Sequence, residues 1–204
     1  MIKRIIFDFD NTLVRWKDEY DDAIKETVKH FDLAVDYKEL SREVDKYEYI
    51  AKRYDKQDLI NYLNEKFKLN LGMEFLDYWL PRLGKMSYAS DKLIDTLDYL
   101  SKKYELVVLT NWFRECQIDR MKHANIYKYF KEVYGGEVTK KPHKEAFIRA
   151  LGDKNIDECI MIGDNYNMDI KPAISLGIKV IMLTSKKFDN IDTINSILEL
   201  KEML

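Results

Sequence analysis

Ile5-Ile6-Phe7-Asp8-Phe9-Asp10-Asn11-Thr12-Leu13 is an apolar run that ends in two aspartates one residue apart. In an extended strand successive side chains point to opposite faces, so Asp8 and Asp10 share a face. The turn signal Asn11-Thr12 follows at once and sets both carboxylates near the carboxyl end of the strand. In an open α/β sheet that edge is where ligands bind. Two like charges so close need a cation or a shared proton to coexist. The opening of the chain therefore points to metal-assisted chemistry.

Downstream, residues 17–87 read as purely helical. Apolar side chains recur at three- and four-residue steps in four runs: Tyr20 to Phe31, Leu40 to Tyr54, Leu59 to Phe67, and Phe75 to Leu83 with Pro81 interrupting the last. After Ser90 the texture changes to helices alternating with short apolar strands at Glu105–Leu109, Glu132–Tyr134, Glu158–Ile162 and Val180–Leu183. Met168–Leu176 reads as a helix between the last two of these strands, and Thr193–Glu202 as a closing helix. Such alternation requires crossover connections and a mostly parallel sheet covered on both faces. With the opening strand, the expectation is a three-layer α/β core around a parallel five-stranded sheet, carrying a four-helix insertion after its first strand.

The bulk properties exclude several function classes. In a chain of 204 residues the net charge is −2 and the two signs are interspersed, which leaves no electrostatic footprint for nucleic acid. The longest apolar stretches are far too short to span a bilayer, so no membrane partner is expected, and a signal peptide does not fit the first residues. Cys116 and Cys159 lie far apart, which argues against a disulfide framework and for a reducing cytoplasm. The sequence leaves the oligomeric state open.

Parallel strands put their carboxyl ends on one edge, so residues at those ends meet in space. Strand one ends in Asp8 and Asp10. The run Leu106–Leu109 ends in Thr110-Asn111, and Cys159–Ile162 ends in Gly163-Asp164 with Asp169 five residues on. Lys141-Pro142 stands in the loop ahead of that last strand. These residue types suit phosphoryl transfer through a covalent aspartyl intermediate. Asp8 can attack phosphorus to form an acyl phosphate, and Asp10 can protonate the leaving alkoxide and then activate water. Magnesium favours oxygen ligands, and Asp8 with Asp164 is the natural pair to hold it. Thr110 and the Asn111 backbone amide offer donors to phosphoryl oxygens, and Lys141 supplies a compact positive charge.

At this point the sequence resembles the haloacid dehalogenase (HAD) superfamily. Asp8-Phe9-Asp10-Asn11-Thr12-Leu13 matches the first family motif, Thr110-Asn111 the second, Lys141-Pro142 with Phe147 the third, and Gly163-Asp164 through Asp169 the fourth. The resemblance implies a Rossmann-like core at residues 1–15 and 88–204, and a mobile helical cap of the first class (C1) at 16–87. It also implies a magnesium-dependent phosphatase acting on a small phosphorylated metabolite. By the same resemblance Asp8 is the nucleophile, Asp10 the general acid/base, Thr110 a phosphate ligand and Lys141 a charge stabiliser. Asp8, the backbone carbonyl of Asp10 and Asp164 would ligate Mg2+, and Asp169 would act through Lys141 or a metal-bound water.

A carboxylate at the position of Asp10 argues against dehalogenation, because halide leaves without a proton. A phosphomutase shares the same core and stays open as an alternative, as does a non-catalytic module that keeps the fold alone. Substrate contacts must come from the insertion and the loops at the mouth, where Arg15, Trp16 and Arg53 are the candidates. His30, His123 and His143 lack metal-ligand spacing and read as surface positions.

Overall fold

The structure is a computed structural model that describes residues 1–15 and 17–204, and the side chains of all of these except 17–19. Its centre is the short strand β1 (Arg4–Phe7), flanked in parallel by β2 (Glu105–Leu109) and β4 (Cys159–Gly163). β3 (Glu132–Tyr134) adds beyond β2, and β5 (Lys179–Leu183) with β6 (Asp192–Ile194) beyond β4. The order is therefore β3-β2-β1-β4-β5-β6, all parallel. Strand order reverses between β1 and β4, and such a switch point leaves a crevice at the carboxyl ends.

Every residue of β1 and β4 is buried, as expected for a sheet covered on both faces. The period of two sorts the side chains. Ile5 and Phe7 enter one apolar cluster with Leu97, Leu100, Met121 and Ile162, whereas Ile6 enters another with Val107, Phe147, Ala150 and Met161. The helices that cover the faces are α5 (Asp91–Ser101), α6 (Arg114–His123), α7 (Lys144–Leu151), α8 (Lys171–Ser175) and α9 (Leu200–Met203).

Between β1 and α5 stand α1 (Lys17–His30), α2 (Tyr37–Ile50), α3 (Lys56–Phe67) and α4 (Met73–Leu83). Their inward residues, among them Tyr20, Leu40, Val44, Leu63, Phe75 and Trp79, form a third apolar cluster that Trp112, Phe113 and Cys116 enter from the far side of β2. No helix among the described residues is long and apolar enough to cross a membrane.

Four expectations need correction. The sheet has six strands, because Asp192–Ile194 pairs with β5 where a helix was expected. The three-residue step from Ile194 to Ile197 imitates helical spacing, but the helical turn starts only at Ile197, where Ser196 and Glu199 form a capping box. α2 stops at Ile50, four residues early: Asp55 accepts from the Gln57 and Asp58 amides and starts α3, so Ala51–Tyr54 becomes a connection. Pro81 does not end α4, which continues to Leu83. The stretch expected as a helix over 168–176 opens with a wider π-helical turn at Tyr166–Ile170 before α8 begins.

Arg4 locks the start of β1 to its surroundings. It is almost fully buried, and its guanidinium donates to the carbonyls of Ala150 and Leu151 at the end of α7, at 2.9 and 2.6 Å, while pairing with Glu105. A cation there complements both the open carbonyls and the helix dipole. Gly152, at φ +58°, leaves the room, since a Cβ on it would lie 2.3 Å from Arg4 Nη1. Arg4→Met strands two buried carbonyls and should cost about 2–3 kcal/mol in denaturant unfolding. A change below about 0.5 kcal/mol would contradict this account.

Candidate active site

The register of β1, β2 and β4 places Phe7 level with Val108 and Ile162. Asp8, one residue past Phe7, therefore emerges at the same edge as Thr110-Asn111 and Asp164, which begin two residues past Val108 and Ile162. The Asp8 amide continues the ladder by donating to Ile162 O at 2.8 Å. These ends open into a cavity of about 270 Å³ whose lining includes Asp8, Asp10, Thr110, Lys141, Asp164 and Asp169.

Lys141 reaches this edge from the loop before α7 and is buried between two carboxylates. Its Nζ donates to Asp8 Oδ1 and to Asp169 Oδ1, each at 2.6 Å. Burial works against the ammonium charge, yet Asp169 and Asp8 outweigh it and hold the group above the ordinary lysine range. The second oxygen of Asp8 accepts from Thr12 Oγ1 at 2.9 Å. Asp169 is fixed through its other oxygen by the Asn165 amide at 3.0 Å. The π-helical turn makes this possible, and so does Gly163, where a Cβ would lie 2.4 Å from Asp169 Oδ2.

Asp164 is held less tightly. Its contact with Thr12 Oγ1 measures 3.5 Å, and burial together with the Asp8 charge pushes its carboxyl up to about 6. Carboxylate oxygens of Asp8, Asp164 and Asp169 all lie within 4.8 Å of one another. Such an all-oxygen donor set fits a hard divalent cation, and a cation there would relieve the strain on Asp164. Lys141 and a second donor engage both oxygens of Asp8 and of Asp169, so Asp164 is the least tightly engaged of the three carboxylates.

Asp10 faces elsewhere. Its Oδ1 accepts from Arg120 Nη1 at 2.5 Å and its Oδ2 from Gln117 Nε2 at 2.7 Å, so the carboxylate stays apart from the acidic cluster. Burial raises this carboxyl above its ordinary value, and Arg120 opposes the rise. Thr110 Oγ1 accepts from Gln117 Nε2 at 2.8 Å, which leaves its own hydrogen to donate to another acceptor. The Asn111 side chain ties two neighbours to this loop: it exchanges hydrogen bonds with the Lys141 backbone at 2.7 and 3.0 Å and donates to Glu48 Oε1 at 3.0 Å.

Across the cavity stand Asp45, Glu48 and Tyr49 of α2 and Tyr54 of the following loop. Tyr54 binds Gly136 O through its amide at 2.9 Å, and Lys140 Nζ donates to Glu48 O. Arg15 and Arg53 are exposed and, among the described residues, are not part of this cavity's lining; Arg53 approaches Asp55 at 3.9 Å. Trp16 lies outside the described residues. His30, His123 and His143 are all exposed.

Thr12, Gln117, Arg120 and Glu48 belong to the site and were not assigned from sequence, whereas Tyr54, which the sequence offers beside Arg53 as a contact for a polar leaving group, does line the cavity. Thr12 carried a signal as the threonine of the Asp8-Phe9-Asp10-Asn11-Thr12 stretch that matches the first family motif. Gln117 and Arg120 carried only their three-residue spacing on the helix after Thr110-Asn111.

Comparison with known proteins agrees with this geometry. The glyceraldehyde 3-phosphate phosphatase of Methanocaldococcus jannaschii is 25% identical over 225 residues, covering 100% of this chain and 97% of the relative. The enzyme of the same name from Pyrococcus furiosus is 28% identical over 218 residues, covering 94% and 84%. Among solved structures, the magnesium-bound HAD-hydrolase YfnB of Bacillus subtilis superposes with a TM-score of 0.75 at 17% identity, over 100% of this chain and 98% of the other. The sequence profile of the haloacid dehalogenase-like hydrolases matches residues 5–183, a span that runs from β1 to the end of β5 and takes in every residue of the acidic cluster and its lysine. With motifs, strand order and profile in agreement, the chain belongs to the haloacid dehalogenase-like hydrolases.

Proposed function

We propose that the protein is a magnesium-dependent phosphomonoester hydrolase in which Asp8 is the nucleophile and Asp10 the general acid and base. The observation that carries this reading is the division of the carboxylates. Asp8 sits with Lys141, Asp164 and Asp169, while Asp10 is held apart by Gln117 and Arg120. This division supports a reading in which one carboxylate serves charge and attack and the other proton transfer.

In the proposed reaction an Asp8 oxygen bonds to phosphorus as the bond from phosphorus to the leaving oxygen breaks. The proton held by Asp10 passes to that oxygen, and the alcohol departs. Water then attacks the acyl phosphate, gives a proton to Asp10, and releases inorganic phosphate with the Asp8 carboxylate restored. Thr110, the Asn111 amide and Lys141 bind the phosphoryl oxygens, and Asp169 fixes Lys141. Magnesium, held by Asp8, the backbone carbonyl of Asp10 and Asp164, would supply positive charge that offsets these carboxylates and the phosphate.

Residues 1–15 and 88–204 form the catalytic core in this reading, and 16–87 the helical cap over it. A cavity of about 270 Å³ suits a small phosphorylated metabolite. Its far wall presents Asp45 and Glu48, so a leaving group with hydroxyls fits it and one with a carboxylate meets like charge. The two relatives named for glyceraldehyde 3-phosphate agree with a small substrate of that kind.

Phosphate release from a panel of small phosphomonoesters should therefore require magnesium and fall at least about 10³-fold in Asp8→Asn. Esters of uncharged polyols should exceed carboxylate-bearing esters of equal size by about tenfold in kcat/KM, and Glu48→Gln should narrow that gap. Metal-independent release, or an Asp8→Asn enzyme as active as the wild type, would refute the assignment.

Binding can be read without turnover. Magnesium at about 100 times its dissociation constant should stabilise the folded protein by about 2.7 kcal/mol. Asp164→Asn should be more stable than the wild type without metal, because it removes a buried like charge, and should lose the magnesium-dependent rise in melting temperature. An undiminished rise in that variant would remove Asp164 from the metal site.

A further inference from the structure

Gln117 and Arg120 stand three residues apart on α6 and are both fully buried. A buried guanidinium is costly unless its donors are met, so the partners of Arg120 say what it is for. Besides Asp10, its Nη1 donates to Gln117 Oε1 at 2.9 Å. Its Nε donates to Ser87 Oγ at 2.8 Å and its Nη2 to the Arg15 carbonyl at 3.3 Å. The guanidinium carbon lies 4.9 Å from the centre of the Phe9 ring. Arg15 and Ser87 belong to the two stretches of chain that lead into and out of the α1–α4 insertion. Arg120 thus touches both crossings and the proposed acid at once.

We propose that Arg120 and Gln117 are positioning residues for Asp10, fixing both of its carboxylate oxygens and keying that orientation to the two chain crossings at Arg15 and Ser87. A carboxylate held through one oxygen can still turn about its side-chain torsions. Here each oxygen has its own donor, one of them charged, and those two donors are hydrogen-bonded to each other. Gln117 also fixes Thr110, so the group that gives the proton and the group that binds the phosphoryl oxygen share one anchor. Misplacing a catalytic group by about 1 Å can cost about 10²-fold in rate.

The assignment rests on the phosphoryl-transfer reading, and its test separates the two. Phosphoenzyme formation is the step that kcat/KM reports. There an alkyl leaving group needs the Asp10 proton, whereas a nitrophenolate leaves without it. The experiment compares glycerol phosphate with p-nitrophenyl phosphate, in the presence of magnesium, for the wild type, Arg120→Met, Arg120→Lys and Gln117→Met. In Arg120→Met, kcat/KM for the alkyl ester should fall about 10²-fold and that for the aryl ester less than about 5-fold, with Arg120→Lys intermediate; in Gln117→Met, which also releases Thr110, both esters should fall, the alkyl ester at least about tenfold further. A purely structural role would lower both esters together.

Equal losses on the two esters, or no loss on either, would overturn the positioning role while leaving the phosphatase assignment in place. Gln117→Met carries the same comparison should Arg120→Met fold poorly, since it keeps the buried charge. A wild-type protein that hydrolyses neither ester would overturn the phosphoryl-transfer reading and this assignment with it.

Discussion

Repulsion among carboxylates at the end of β1 is the constraint that orders this molecule. At an effective dielectric constant of about 20, two unit charges at about 4 Å interact by about 4 kcal/mol, and here three acidic side chains lie that close. The chain answers in two ways. Lys141 is buried between Asp8 and Asp169, and Arg120 is buried against Asp10. Each cation is spent on its own carboxylates, and Asp164 is left with a raised affinity for protons or for a cation. The functional division of the site is thus also its electrostatic solution.

That solution depends on backbone geometry more than on composition. Level register of β1, β2 and β4 delivers Asp8, Thr110 and Asp164 to one edge, and no side-chain choice could compensate for a slip of one residue. Gly163 and the π-helical turn behind it fold Asp169 back under Lys141. The loop after β2, which would be mobile if exposed, is instead anchored by packing. Trp112 lies 5.3 Å from Tyr54 and 5.7 Å from Trp79, and Phe113 lies 5.4 Å from Tyr54, ring centre to ring centre. Thr110 and Asn111 are therefore preorganised by an aromatic cluster that belongs mostly to the inserted helices.

What could be read in the sequence follows the same physics. Asp8, Asp10, Thr110, Asn111 and Asp164 stand where apolar strands stop, and a strand end is a local signal, so their convergence follows once the strands are parallel. Lys141 and Asp169 stand beside strand ends rather than at them, and the family resemblance adds a role to each. Gln117 and Arg120 were not legible, because a glutamine and an arginine on a helix read as a solvated face unless the partner burying them is known. Arg15 and Arg53 show the converse: cations near a motif in sequence that turn to solvent. The sixth strand was lost because Ile194 and Ile197 satisfy the helical period as well as the strand they divide, and only the cap formed by Ser196 and Glu199 breaks the tie.

The seclusion of Asp10 has a chemical logic. A carboxylate bound to a metal through its side chain has little basicity left for protons, so one that is to shuttle a proton beside a metal site must be kept off it. β1 ends at Phe7, so Asp8 follows it directly and Asp10 stands two residues further on, close enough in sequence to compete for one cation. Burial alone would favour a protonated Asp10 but would not aim it. Gln117 and Arg120 supply the aim, and because Gln117 also binds Thr110 they aim it relative to the atoms proposed to hold the phosphoryl group. The carboxyl proposed as the acid is thereby set by a helix that follows β2, and the register between β1 and β2 becomes part of the proposed catalytic geometry.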